Sequence, residues 1–298
     1  MKANWIDRTH ARNVVTAKLA TKVQRKYNLL PQAPRNGLID GFPIEIFDND
    51  TILGLYTFNI PKSAWQFAMD KNNPNHIVVS GGEWVPTVLF EAMPDLVEWE
   101  VEVGEESDET LNKLNRLFDF VINSSDEEFK SNFSQYINLD SALNYYVIAD
   151  LAYMQDNLGR NMLLVTYDGM EWYLSLYDLD TSWGTQYDGN GLLNYEKSLL
   201  DMSYNNLFAR MEKVFSKELA ERYFEIREDL MSNESIMAEF EAFEAMIPEG
   251  TFEKEYRKWS PRENISRESL PGADYDQIQS YLDTVSQRLD DKYSAWLN

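Results

Sequence analysis

Two short stretches of this chain carry side chains that could hold a divalent cation against phosphate. The first is Asp156-Asn157-Leu158-Gly159-Arg160-Asn161, a polar loop that follows an apolar run. The second is Asp178-Leu179-Asp180. Between them lies a segment that reads as a β-hairpin, with residues 162–167 and 172–177 flanking an Asp168-Gly169 turn. An antiparallel hairpin sets the start of its first strand beside the end of its second. Asn161 and Asp178 are therefore expected as neighbours, with Asp156 close by and Asp180 as a further carboxylate. One amide oxygen and one or two carboxylates make a hard oxygen site for Mg²⁺ or Mn²⁺, ions that complete their shells with water and substrate phosphates. A plainer reading competes, in which Asp156 closes a turn and Asp178 and Asp180 are loop acids.

The spacing Asp156-x-x-x-x-Asn161 is that of a protein-kinase catalytic loop, where the Asp orients the attacking hydroxyl and the Asn holds a metal. A strand-end Asp then supplies the other metal ligand. Alone the pattern is weak; with a hairpin and a second Asp after it, it is moderately specific. Two rival readings fare worse. Asp178 to Gly184 starts like a calcium loop, but Trp183 stands where the turn needs glycine and Gly189 stands where the closing Glu belongs. Asp178-Leu179-Asp180 also fits the D-x-D of nucleotide-sugar transferases, yet no open parallel αβ sheet precedes it.

The elements that must position these residues are legible in outline. Residues 9–26 predict a helix, with Val15, Leu19 and Val23 recurring every four residues and Asp7 or Thr9 as its cap. Pro31, Pro34 and Gly37 break the chain into a loop. Residues 42–47 and 52–60 predict a hairpin about Asp48-Asn49-Asp50, with Pro61 ending its second strand. Further strands are expected at 76–79 and at 96–103, the latter half-exposed through Val97, Trp99, Val101 and Val103. Amphipathic helices are expected at 109–122 and 126–136. Residues 141–154 are apolar nearly all round and predict a buried helix capped by Asp140. From about residue 203 the pattern is helical, ending with an inward stripe of Ile278, Leu282, Val285 and Leu289.

Composition narrows the chemistry. The 298 residues are 44% hydrophobic, enough for a large core, and include no cysteine, which excludes disulfides, thiolate metal sites and thiol nucleophiles. The two histidines, His10 and His76, lie in no nucleophile motif. A net charge of −23 disfavours nucleic acid and anionic membranes as partners and favours basic ones. Residues 1–37 run against that trend, with eight Lys or Arg and one acid, Asp7. No secretory signal or membrane span is read.

Four segments together resemble the spore coat protein H (CotH) kinase family, including its versions in phage structural proteins. They are the run from Lys2-Ala3-Asn4-Trp5 to Asn13, Asp40-Gly41-Phe42-Pro43-Ile44-Glu45-Ile46, the run from Leu53 to Lys62, and Leu176-Tyr177-Asp178-Leu179-Asp180-Thr181-Ser182-Trp183-Gly184. The resemblance covers roughly residues 2–190. It implies an α+β, atypical protein-kinase-like fold of two lobes: a small β-containing N-lobe over 1–104, complete or truncated, and a mainly helical C-lobe over 105–298 whose hairpin carries the metal and catalytic residues. It implies transfer of the γ-phosphoryl of ATP, with Mg²⁺ or Mn²⁺, to serine of a basic protein. Asp156 matches the catalytic Asp and Asp178 the metal Asp, with Asn161 placed by spacing and Asp180 beside it. Lys2 is placed to contact phosphate, Arg12 to contact phosphate or simply to pack, and Trp172 to stack on adenine or to join the core.

This sequence departs from typical kinases. Met154-Gln155 replaces His-Arg before Asp156, Leu179-Asp180 replaces Phe-Gly after Asp178, the helix at 9–26 offers Lys2 no acidic partner, and no glycine-rich loop precedes Lys2. The alternative is thus a kinase-like structural or binding module of a spore coat or phage particle, partnered by other coat or virion proteins. The locations implied are the bacterial cytoplasm, the spore coat or the phage virion.

Overall fold

The computed structural model describes residues 1–4, 6–60, 62–189, 191–259 and 274–298. Trp5 of the first family segment, Pro61, and residues 260–273 of the expected helical tail lie outside the described residues. The described fold is α+β, with small antiparallel sheets among helices.

The first helix, α1 (Arg12–Lys26), starts three residues later than its periodicity suggests because residues 7–10 form a capping turn. There Asp7 accepts from the Arg12 backbone N–H at 2.8 Å and Thr9 accepts from Ala11 N–H at 3.1 Å. Neither expected residue is the N-cap, which is Ala11, but both side chains accept from N–H groups at the helix start that would otherwise lack partners. The helix is buried on nearly every side, polar residues included.

Strands β1 (Gly41–Asp48) and β2 (Thr51–Asn59) form the first hairpin. Lys2 extends it by an antiparallel bridge to Thr57, with both backbone bonds at 2.9 Å. The remaining strands, β3 (Ile77–Gly81), β4 (Trp99–Val103), β5 (Met162–Thr166) and β6 (Tyr173–Leu176), form one antiparallel sheet in the order β4-β3-β5-β6. That sheet joins strands from both sides of residue 104. Val97, expected in the half-exposed strand, precedes β4 and is 80% exposed.

Helices α2 (Asp108–Asn123) and α3 (Asp126–Asn132) follow, each opened by a serine cap, with Glu128 completing a capping box on Ser125. Helix α4 (Leu139–Leu151) is capped by Asn138 rather than Asp140; Asn138 accepts from Ser141 N–H at 3.0 Å. It stops at Leu151, short of 154, because Tyr153 turns into the left-handed region at φ 51. Helices α5 (Asn206–Arg227), α6 (Asn233–Glu244), α7 (Thr251–Trp259) and α8 (Tyr275–Leu297) complete the described chain. The predicted stripe Ile278, Leu282, Val285 and Leu289 is buried.

One continuous core runs from Ala11, just before α1, to Tyr293 in α8 and includes one face of the four-stranded sheet. The opposite face packs Val78, Val103, Leu163 and Val165 under Ala64, Phe67 and Met69. Alternation along β5 therefore sends Met162 and Leu164 to the helices and Leu163 and Val165 to the other layer.

Candidate functional site

The loop from Asp156 to Asn161 rests directly on β3. A side chain at Gly81 would meet the Gly159 carbonyl at 2.4 Å, so only glycine allows this approach. Asn161 N–H donates to Gly81 O at 3.0 Å. The loop is fixed from beneath as well: Tyr145 hydroxyl donates to Asn157 O at 2.7 Å and Asn205 donates to Leu158 O at 2.6 Å.

The pairing Met162 with Leu176 brings Asn161 opposite Tyr177, one residue short of Asp178. The amide that ties the loop to this strand end is Asn157, whose Nδ2 donates to Tyr177 O at 2.8 Å. Its Oδ1 is buried and has no hydrogen-bond partner. Among the described residues the Asn161 side chain is bonded to neither Asp178 nor Asp180, so the expected amide and carboxylates share a neighbourhood without direct contact.

Asp178 takes a left-handed backbone, φ 51, and turns the chain out of β6. The next turn is anchored on α1: Asn13 accepts from Leu179 N–H at 2.9 Å, and Thr16 bonds both Ser182 Oγ at 3.0 Å and the Trp183 indole N–H at 2.7 Å. Asp178 and Asp180 thereby point at one place, and Lys2 fills it. The Lys2 ammonium bonds Asp178 Oδ1 and lies 2.8 Å from Asp180 Oδ2. The acid that α1 does not offer Lys2 is supplied instead by this pair. Burial alone would lower the Lys2 pKa, but Asp180 and Asp178 reverse that and hold it above the ordinary lysine value.

Burial pushes the Asp180 carboxyl up to about 6; Lys2 pulls against this and Asp178 adds to it. Asp156 is also raised by burial, opposed by Arg160 and a hydrogen bond from Trp84, and raised further by the Asp178 charge. Asp156 and Asp178 thus lie within each other's field. Two carboxylate oxygens converging on one cationic centre, beside a third carboxylate, suit a Mg²⁺-type ion that takes few protein ligands and leaves positions for phosphate and water. Among the described residues no group of three His, Cys, Asp or Glu is arranged to enclose a metal by itself.

The raised Asp180 pKa sets a sign. A divalent ion needs the carboxylate, so affinity for Mn²⁺ should weaken as pH falls through about 6. Stability should move the other way for this group. Its folded value of about 6 exceeds the ordinary 3.8, so between these values the folded chain holds more proton than the unfolded one, and acidification through that window favours folding. Calorimetric Mn²⁺ titrations on either side of the window check the first effect; unchanged affinity would show that Asp180 is not a ligand.

Two residues expected at a nucleotide fall elsewhere. Trp172 is 1% exposed, hydrogen-bonds through its backbone with Tyr136 and Asn138, and lies in the core with Leu174 and Leu176. It offers no free face to adenine. Arg12 is fully buried and paired with Asp7; it also donates to Ser182 O at 3.1 Å and to Gln277 Oε1 at 2.6 Å. Its role is to seat the loop that carries Asp178 and Asp180, not to meet phosphate.

Lys62 was absent from the sequence-based site. Its ammonium pairs with Glu102 and sits 4.6 Å from the Tyr177 ring centre, and Ser80 donates to the same Glu102 oxygen at 2.6 Å. The signal available was its place at the end of a family segment. Asn13 and Asn157 were likewise missed, although both lie within or beside quoted motifs.

No curated protein matches the chain. The sequence model of one family, described as CotH kinase protein, matches residues 1–289.

Proposed function

This chain belongs to the CotH kinase family, and from that premise we propose that it transfers the γ-phosphoryl group of ATP to a serine hydroxyl of a protein substrate. The observation that carries the reading is the convergence of Asp178 and Asp180 on one cationic centre within the field of Asp156. Asp178 and Asp180 would hold a Mg²⁺ or Mn²⁺ ion, with the Asn161 amide as a further oxygen from the neighbouring loop. Such an ion, when bound, neutralises and orients phosphate oxygens.

The residues of this chain do the rest. Asp156 accepts a hydrogen bond from the serine hydroxyl and takes its proton as the oxygen attacks the γ-phosphorus and the bond to the β-phosphate oxygen breaks, releasing ADP. Its raised pKa suits a group that must receive a proton. Lys2 and Lys62, paired with Asp178 and Glu102 respectively, would supply positive charge to the phosphates. The net charge of −23 favours a basic, serine-bearing substrate, such as a spore coat or virion protein. Among the described residues no helix is long and apolar enough to cross a membrane.

ATP should raise the melting temperature with Mg²⁺ or Mn²⁺ and not with EDTA, and radiolabel should pass from γ-labelled ATP to a basic serine-containing protein. Asp156→Asn should keep nucleotide binding while lowering kcat by about a hundredfold or more. Metal-dependent ATP binding without transfer in any of these proteins would favour the kinase-like binding module instead. No binding at all would refute phosphotransfer.

A further inference from the structure

The Lys2 ammonium occupies the point on which the Asp178 and Asp180 oxygens converge. Its backbone is held by Thr57 through two hydrogen bonds of 2.9 Å, and the Asn4 side chain braces the same Thr57 at 2.9 Å. Lys2 can therefore leave the carboxylates only by swinging its own four-carbon stem. Asp180 is nearly inaccessible to solvent and needs a counter-charge when ionised. Lys2 supplies one, at the same oxygens a divalent ion would use. A divalent cation and an ammonium within about 4 Å of each other repel strongly, so both cannot hold this pair of oxygens together.

We propose that Lys2 is a tethered competitor for the divalent ion at Asp178 and Asp180, and that nucleotide phosphate relieves the competition by accepting the displaced ammonium. This rests on the phosphotransfer reading for the identity of the second ligand. Free metal then binds weakly, because it must strand Lys2 without a partner. Metal arriving with ATP binds well, because the phosphates become that partner. The two ligands are positively coupled, and by reciprocity each tightens the other. The device makes the site selective for the metal–nucleotide complex over free ions.

The test is Mn²⁺ binding, followed by electron paramagnetic resonance, to the wild-type chain and to Lys2→Met, each with and without a non-hydrolysable ATP analogue. Without the analogue, Lys2→Met should bind Mn²⁺ about tenfold more tightly than wild type. With the analogue, that advantage should vanish or invert, since the variant has lost a phosphate contact. Lys2→Gln, also uncharged, guards against misfolding of the methionine variant. An equal gain in both conditions would mark a long-range charge effect and overturn the proposal, as would no gain in either. Failure of the wild-type chain and both variants to bind Mn²⁺ even with the analogue would bring down the phosphotransfer reading, and this inference with it.

Discussion

Asp178→Ala should lower phosphoryl transfer by about a thousandfold while leaving the fold intact. Asp178 is half-buried, its side chain 37% exposed, and its backbone turn is held by neighbours rather than by its own carboxylate. Alanine removes one of the two oxygens that converge on the cationic centre, and Lys2 retains Asp180. Metal-dependent nucleotide binding should fail along with transfer. This separates Asp178 from Asp156, whose loss should strike kcat with binding kept. The measurements are nucleotide titration with Mn²⁺, initial rates with a basic serine substrate, and circular dichroism for fold. Transfer within threefold of wild type in a folded Asp178→Ala protein would remove this residue from the mechanism.

Arg12→Met should cost about 3–5 kcal/mol of stability, which for a chain of this size is a fall in Tm of roughly 10 °C. Both members of the Arg12–Asp7 pair are fully buried. Methionine strips the Asp7 charge of its cation, removes one of the donors to the Ser182 carbonyl and leaves Gln277 Oε1 without the Arg12 donor. Breaking a buried pair is far more costly than never having built it. The double variant Asp7→Leu/Arg12→Met should therefore recover part of the loss. Denaturant melts of the two single variants and the double variant give the coupling directly. A single variant within 1 kcal/mol of wild type, an order-of-magnitude threshold for a structural ion pair, would show that the clamp is dispensable.

The two outcomes expose which parts of the molecule its sequence made legible. Local periodicity located α1, both hairpins and the buried stripe of α8, because each follows from apolar spacing within one element. Hairpin register likewise carries the end of the Asp156 loop to the end of β6, with residue 161 opposite residue 177, next to Asp178. Trp172 shows where such reasoning stops. Strand parity puts residues 172 and 178 on one face only if the strand continues, but β6 ends at Leu176 and Asp178 turns away at φ 51. Arg12 misled for another reason. A basic residue near a helix start reads as a phosphate contact, while its buried partner Asp7 sits in the capping turn just before it, and another partner, Gln277, is 265 residues away. The Lys2 contact with Asp178 spans 176 residues, beyond the reach of any periodic pattern.

That distance between Arg12 and Gln277 also bears on how each copy is made. Gln277 joins Arg12 to the Trp183 carbonyl at 3.0 Å, so the first turn of α8 is one of the props beneath the site. Chains leave the ribosome from the N-terminus onward. Asp156, Asp178 and Asp180 have all emerged long before this prop is available. A nascent copy therefore displays these three carboxylates before their support exists, and the turn that carries Asp178 and Asp180 is fully propped only once residue 277 has emerged and docked.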